Sequence, residues 1–194
     1  MRAPPIRRLA IPDVVEITPR RFADSRGWLA EVYSRRALAA AGLAADFVQA
    51  NQSFSRAAHT LRGLHFQRPP HAQRKLVWAV TGAAFDVAVD LRRGSPHFGR
   101  SVAVTLSAGE GNQLLVPAGF AHGFLTLAPD TIVQYLVDMP YVPESEGGIR
   151  FDDPQLAIPW PLAGAAPVLS PRDLGLPFLA DLDTPFAWVP EGPR

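Results

Sequence analysis

The 194 residues fit one domain, residues 1–194, that can bury a substantial core, and 20 prolines argue against a helical bundle. Nineteen basic against eighteen acidic residues give no net charge that favours nucleic acid or a membrane surface. No cysteine is present, which excludes disulfides, thiolate metal ligands and a cysteine nucleophile. We find no signal-peptide pattern and no apolar run of membrane-spanning length, so we expect a cytoplasmic protein.

The N-terminal part, about residues 10–33, is predicted to form strands and to lead into a helix. Weak alternation of apolar residues indicates two short strands on either side of a turn. Ser34 is placed to cap the helix that follows. The predicted elements are strands over 11–19 and 29–33, a turn over 22–28 and a helix over 35–43.

Polar residues recur with period two along the next predicted strand, over 47–55. Gln49, Asn51, Ser53 and Ser55 therefore share one face. A face of amides and hydroxyls is costly to bury unless something polar lies against it. Solvent is one such neighbour and a polar ligand is the other.

Many short strands with turn residues between them follow. This spacing predicts a mainly β protein, a sandwich or barrel with its core over about 45–140. The C-terminal part, about 160–194, reads as irregular, with a helix start at Ser170. The predicted strands are 61–67, 75–80, 83–91, 101–107, 112–117, 121–127 and 131–138.

The stretch from Gly111 to His122 fits the second cupin motif, in which a strand and a tight Pro/Gly turn present a histidine to a small jelly-roll barrel. In the first cupin motif, Lys75 occupies the position of the metal-binding glutamate and Pro69 that of the first histidine. A lysine repels a divalent cation. We therefore predict a cupin-like jelly roll without a metal ion.

Several further motifs occur in order and with preserved spacing between residues 10 and 175. Together they closely resemble the dTDP-4-dehydrorhamnose 3,5-epimerase family, a family of cupin-type deoxysugar nucleotide epimerases. The matching segments are 24–27, 47–51, 61–67 (Leu-Arg-Gly-Leu-His-Phe-Gln), 75–77, 85–90, 94–96, 119–124, Tyr135, 141–143, Glu146 and 169–173.

The resemblance implies a homodimer that needs no cofactor and acts on a dTDP-6-deoxy-4-ketohexose. It implies that His65 is the general base and that Asp173 is the carboxylate that partners it. Tyr135 matches the general acid on the opposite face of the sugar, and Lys75 matches a lysine near the ketone oxygen. The implied reaction inverts C3 and C5 in the biosynthesis of dTDP-L-rhamnose.

The resemblance also implies a set of substrate-binding residues. Arg62, Arg26 and His122 match positions that hold the diphosphate and the sugar. The remaining matches, on the nucleotide side, are Gln49, Asn51, Glu31, Tyr141 and Glu146.

The chemistry requires the same residue types independently of the family. A proton next to a ketone is weakly acidic, so a base must be positioned at it. The charge that develops on the ketone oxygen is stabilised by an ammonium group. Inversion needs a second acid on the other face, a role that suits Tyr135 if its surroundings lower its pKa. Arginine matches phosphate oxygens in pairs.

Several residues also have purely structural interpretations. His65 is a satisfied strand histidine in the simplest alternative. Asp173 stands three residues after Ser170, which is the spacing of a helix cap. Tyr135 fits the core of an apolar strand. Alternation also places Arg62 and His65 on opposite faces, so a shared ligand requires a bend or bulge at Gly63.

Two alternative functions stay open from the sequence. One is a mono-epimerase that inverts only C3 or C5 of a related keto-sugar nucleotide. The other is a non-catalytic cupin that binds a sugar nucleotide.

Overall fold

The computed structural model describes residues 3–189, which contain thirteen β-strands and two short α-helices. The strands are β1 (Ile6–Arg8), β2 (Val15–Ile17), β3 (Arg21–Asp24), β4 (Gly27–Ala30), β5 (Gln49–Ser55), β6 (Leu61–Gln67), β7 (Lys75–Thr81), β8 (Ala83–Asp90), β9 (Ser101–Ser107), β10 (Gln113–Val116), β11 (Phe120–Thr126), β12 (Thr131–Val137) and β13 (Glu146–Gly148). The helices are α1 (Arg35–Ala40) and α2 (Pro171–Leu174). Among these residues no helix is long and apolar enough to cross a membrane.

Two antiparallel sheets form the body of the molecule. The first sheet has the strand order β1-β2-β10-β7-β12-β5, and the second has the order β13-β6-β11-β8-β9. Alternate residues of both sheets point into the space between them, as the alternately buried and exposed residues of β9 show. This arrangement confirms the predicted mainly β, jelly-roll fold. The core between the sheets includes Val77, Ala84, Val104, Leu114, Phe124 and Val133.

The outer face of the first sheet is covered by α1 and the segment after it. Leu38 of the helix and Leu43 pack against Leu76 and Trp78. Ser34 caps the helix as predicted, because its hydroxyl oxygen accepts a hydrogen bond from the Ala37 backbone N–H at 3.3 Å. The helix ends at Ala40, three residues before the predicted end.

The N-terminal strands differ from those predicted. The expected strand over 29–33 is instead part of a hairpin, in which Arg21–Asp24 pairs with Gly27–Ala30. Its turn is stabilised by the Asp24 carboxylate, which accepts a hydrogen bond from the Arg26 backbone N–H at 2.8 Å. This local side-chain contact favours a tight turn over the longer turn predicted at 22–28.

The C-terminal part covers the outer face of the second sheet. Leu156, Ile158, Leu179 and Phe186 pack against strand residues such as Val89. This packing brings α2 beside β6, and so places Asp173 next to the stretch that contains His65. The last five residues of the predicted C-terminal part, and the first two of the chain, lie outside the described residues.

Candidate active site

A bulge in β6 places Arg62 and His65 on the same side of the strand. Along β11 the pairing partners His122 and Phe124 are two residues apart, whereas on β6 their partners His65 and Arg62 are three apart. A side chain on Gly63 would lie 2.6 Å from the Gly123 Cα atom, so only glycine fits this close approach. The structure thus confirms the predicted bulge.

His65 and Asp173 form a hydrogen-bonded pair. His65 Nε2 lies 2.7 Å from Asp173 Oδ1, and the two side chains are 28% and 6% exposed. Burial acts to raise the pKa of Asp173, but the hydrogen bond and charge of His65 outweigh burial and hold that pKa below its ordinary value. Asp173 also donates its backbone N–H to Ser170 Oγ at 3.1 Å. The helix cap and the contact with His65 therefore coexist.

Lys75 enters the same space from the first sheet. It shares the inward face of β7 with Val77, and its Nζ lies 3.5 Å from the backbone carbonyl oxygen of His65. Desolvation lowers the pKa of Lys75 to about 8, while the charges of Asp86 and Glu146 act to raise it. At neutral pH Lys75 is thus an ammonium ion held in a partly dry pocket.

Tyr135 lies on β12, beside β7 in the first sheet, and packs against the core. Burial and the charge of Glu146 raise its pKa, and the opposing charge of Arg62 is too weak to reverse this. The condition stated for the acid role, that the surroundings lower the pKa of Tyr135, is therefore not met. The phenol keeps its proton, and a protonated phenol can donate one.

Tyr141, Glu146 and Arg172 form a polar cluster beside these groups. The Tyr141 hydroxyl donates to Glu146 Oε2 at 2.5 Å, and Arg172 forms an ion pair with the same oxygen at 2.6 Å. The charge of Glu146 also reaches Lys75 and Tyr135, where it acts on both pKa values. Sequence reasoning missed Arg172, although its position next to Asp173 on a capped turn could have indicated it.

The polar face of β5 lies beside Tyr135. Asn51 is the cross-strand neighbour of Tyr135. Gln49 donates from Nε2 to Asn51 Oδ1 at 2.8 Å, and its Oε1 accepts from the Tyr141 backbone N–H at 3.1 Å. These amides thus connect the first sheet to the cluster around Glu146.

Arg62 lies at the exposed rim with its charge uncompensated. It donates to Ser55 Oγ at 3.3 Å and to the Phe54 carbonyl oxygen at 3.0 Å. None of the ion pairs formed within residues 3–189 includes it. Its guanidinium is therefore available to an anionic ligand.

His122 is buried on β11, directly across from His65. Its Nε2 lies 2.8 Å from Asp86 Oδ1, and Asp86 is fully buried. Sequence reasoning gave Asp86 no role. The sequence does contain a signal for Asp86, because it is an acid between two alanines, Ala84 and Ala88, that face the core on the same strand.

Arg26 and Glu31 do not join the other predicted site residues within one chain. Arg26 is exposed and pairs with Asp24 at 2.6 Å. Trp28 of the same hairpin faces Trp78 on the outer face of the first sheet. The sheet thus separates the hairpin and the following Glu31 from the space that contains His65. Their assignment as substrate-binding residues therefore stays a prediction, which one chain alone does not test.

Residues 3–189 contain no group of three His, Asp or Glu side chains that could hold a metal ion.

The chemically active residues that the structure brings together are His65, Asp173, Lys75, Tyr135, Glu146, Tyr141, Arg172, Arg62, His122, Asp86, Gln49 and Asn51.

Comparison with known proteins identifies the family. Residues 8–181 match the family model described as dTDP-4-dehydrorhamnose 3,5-epimerase. The chain belongs to this family. As a member of it, the chain is an epimerase of the isomerase class.

Individual relatives agree over nearly the whole length. The dTDP-4-dehydrorhamnose 3,5-epimerase of Sinorhizobium fredii is 47% identical over 185 residues, which cover 93% of this chain and 92% of the relative. The crystal structure of the Bacillus anthracis enzyme with TDP and PPi bound has a TM-score of 0.88 at 45% identity, and the match covers 91% of this chain and 99% of that one. The dTDP-6-deoxy-D-glucose-3,5-epimerase of Legionella pneumophila, in complex with dTDP-4-keto-L-rhamnose, has a TM-score of 0.89 at 40% identity, covering 95% and 99%.

Proposed function

We propose that this epimerase inverts C3 and C5 of dTDP-4-dehydro-6-deoxy-D-glucose to give dTDP-4-dehydro-L-rhamnose, a step of dTDP-L-rhamnose biosynthesis. One observation carries the proposal: the paired His65 and Asp173 lie at the second sheet, and Lys75 and Tyr135 lie on the first sheet, which faces it. A base and an acid on facing sheets are what inversion of a carbon requires. The names of the relatives supply the substrate.

The first step is removal of a proton from carbon. Because Asp173 accepts the hydrogen bond from His65 Nε2, the other ring nitrogen, Nδ1, carries the lone pair that takes the proton. Asp173 is ionised at neutral pH, since its pKa is lowered, and it stabilises the imidazolium that forms. The electron pair of the broken C–H bond moves to the C4 ketone oxygen and gives an enolate.

Lys75 stabilises that enolate. Its pKa of about 8 keeps it protonated at neutral pH, and the partly dry pocket strengthens its attraction for the developing oxyanion. We propose that this charge suffices, so that the reaction needs neither a metal ion nor a cofactor.

Tyr135 completes the inversion. It donates its proton to the same carbon from the face opposite His65, because the two residues belong to facing sheets. The raised pKa of Tyr135 keeps the proton in place until the enolate forms. Exchange with solvent then restores both residues for the second carbon.

The remaining polar residues bind the nucleotide diphosphate. Arg62, with its charge uncompensated at the rim, is suited to a phosphate. His122 contacts the sugar from the pocket wall. Gln49, Asn51, Tyr141 and Glu146 lie on the nucleotide side.

We also propose a homodimer that acts in the cytoplasm, where soluble nucleotide sugars are available. The β3–β4 hairpin exposes Phe22, Trp28 and Leu29, which are 64%, 57% and 74% exposed. Burying these side chains against a second copy is favourable. The same contact would carry Arg26 and Glu31 to the pocket of the partner, which would explain why they lie apart from the other site residues in one chain.

Solvent labelling tests the proposed reaction. The protein is incubated in deuterated water, without added metal, with dTDP-4-keto-6-deoxyglucose, and C3 and C5 are followed by NMR. We expect deuterium at both carbons together with inversion at both. Label at one carbon would instead identify a mono-epimerase, and tight binding without any label would identify a non-catalytic cupin.

A further inference from the structure

Asp86 is a buried acid that has no role in the proposed reaction. It lies on β8 between the inward-facing Ala84 and Ala88 and is fully buried. Its Oδ1 contacts His122 Nε2 at 2.8 Å. Its Oδ2 has no hydrogen-bond partner among the described residues.

A carboxylate in this position is costly. Burying an ionised acid costs roughly several kcal/mol, unless hydrogen bonds or an opposite charge replace the lost hydration. One hydrogen bond leaves most of the acceptor capacity of Asp86 unused. The offset must therefore come from nearby positive charge.

A second buried acid on the same strand, Asp90, has hydrogen bonds to both of its carboxylate oxygens. Asp90 is also fully buried and follows Asp86 by four residues. Its two oxygens accept from Arg92 at 2.9 and 2.7 Å and from Ser95 at 2.6 Å. Asp90 is thus satisfied by its neighbours, whereas Asp86 is satisfied only on the side of His122.

Lys75, which shares a strand face with Val77, and Asp86, which lies between Ala84 and Ala88, both point into the space between the two sheets. The charge of Asp86 acts there to raise the pKa of Lys75. Glu146 is the other carboxylate whose charge reaches Lys75. Glu146 shares its negative charge with Arg172 and Tyr141, through contacts at 2.6 and 2.5 Å. Asp86 has no arginine or lysine within hydrogen-bond distance among residues 3–189, and its one close partner is the His122 imidazole.

We propose that Asp86 is a positioning residue that keeps Lys75 in its ammonium form and fixes His122 with Nδ1 turned towards the sugar. The proposal rests on the proposed function, because Lys75 and His122 are assigned to the substrate there. Asp86 itself does not touch the substrate. It acts through these two side chains.

The substitution Asp86→Asn tests this role, since it removes the charge and keeps the shape. Desolvation of Lys75 is then opposed only by Glu146, so its pKa falls below about 8. We expect kcat at pH 7.5 to fall by about tenfold or more, from the loss of electrostatic stabilisation. We expect KM and the affinity for dTDP to change by less, and the alkaline limb of the kcat profile to move to lower pH.

Lys75 can be observed directly because it is the only lysine of the sequence. Protein that contains ¹³C,¹⁵N-labelled lysine therefore gives one side-chain signal, which can be titrated without substrate. A lower titration midpoint in Asp86→Asn supports the proposal, and an unchanged midpoint overturns it. This readout does not depend on turnover, so it stands even if the wild-type protein leaves C3 and C5 unlabelled and the proposed function fails.

Asp90→Asn is the matched control. It changes an equally buried acid on the same strand, but one that is paired with Arg92. We expect it to lower stability and to leave the Lys75 midpoint unchanged, and an equal shift in both variants would contradict a specific role of Asp86. If Asp86→Asn does not fold, the ¹³C signal of the Asp86 carboxyl in the wild-type protein decides: an ionised carboxylate at pH 7 supports the proposal, and a protonated one overturns it.

Discussion

Replacing Lys75 by methionine is expected to make the protein more stable and inactive. The pKa of Lys75 falls from 10.5 to about 8 on folding, mainly through desolvation. One pKa unit corresponds to about 1.4 kcal/mol, so keeping the ammonium ion in the pocket costs about 3 kcal/mol at neutral pH. Methionine has a similar length and no charge. We therefore expect Lys75→Met to raise the free energy of unfolding by up to about 3 kcal/mol at pH 7.

The difference in stability between Lys75→Met and the wild-type protein depends on pH. Below pH 8 the lysine is protonated in both the folded and the unfolded protein, so the full cost is present. Between pH 8 and 10.5 the unfolded chain binds more protons than the folded one, so the stability of the wild-type protein rises with pH. Above pH 10.5 the lysine is neutral in both the folded and the unfolded protein, so the cost of burying its charge is no longer present. The advantage of Lys75→Met must therefore shrink across this window.

Urea unfolding of both proteins at pH 7 and at several values up to pH 10.5 measures this difference. Comparing the two proteins at each pH cancels the titration of every other group, Tyr135 included. A difference that stays constant with pH, or a variant that is less stable throughout, would refute the desolvation of Lys75. Retained turnover in Lys75→Met would refute its role at the enolate.

Three further substitutions test the other assigned roles. Tyr135→Phe removes the proton donor, and we expect deuterium exchange to continue while inversion falls by about 100-fold or more; inversion at the wild-type rate would contradict the acid role. Asp173→Asn should lower kcat by about 100-fold or more with little change in KM, whereas a loss of stability with kcat unchanged would leave the Asp173 side chain with a structural role only. Arg62→Ala should weaken dTDP binding, measured by calorimetry, by about 1.5–3 kcal/mol, and a pure effect on kcat would speak against a phosphate contact.

The strands could be predicted from the sequence because their signals are local. The bounds predicted for the strands over 61–67 and 101–107 are those observed. Period-two alternation and Gly/Pro turns determine such elements within a few residues. The bulge in β6 was also predictable, because two polar residues that share a ligand must share a face.

The composition of the site was only partly predictable. His65 and Asp173 are 108 residues apart, and only the resemblance to the family linked them before the structure showed their contact. Asp86 and Arg172 were missed because their partners, His122 and Glu146, come from other strands. Long-range pairing of this kind leaves no periodic signal in the sequence.

The electrostatics of the site were not predictable at all. The pKa of Tyr135 depends on burial in the core and on the balance between Glu146 and Arg62. That balance is set by the distances between three strands. The sequence could state only the condition that a lowered pKa would suit the acid role, because it does not show the surroundings of the phenol.

The most direct test of the central claim is solvent exchange in His65→Asn. The claim is that the pair of His65 and Asp173 removes the protons from C3 and C5. Asparagine keeps a polar side chain in the strand but cannot act as the base. We expect no deuterium at either carbon of dTDP-4-keto-6-deoxyglucose, while the affinity for dTDP stays close to that of the wild-type protein. Exchange at the wild-type rate in this variant would contradict the account.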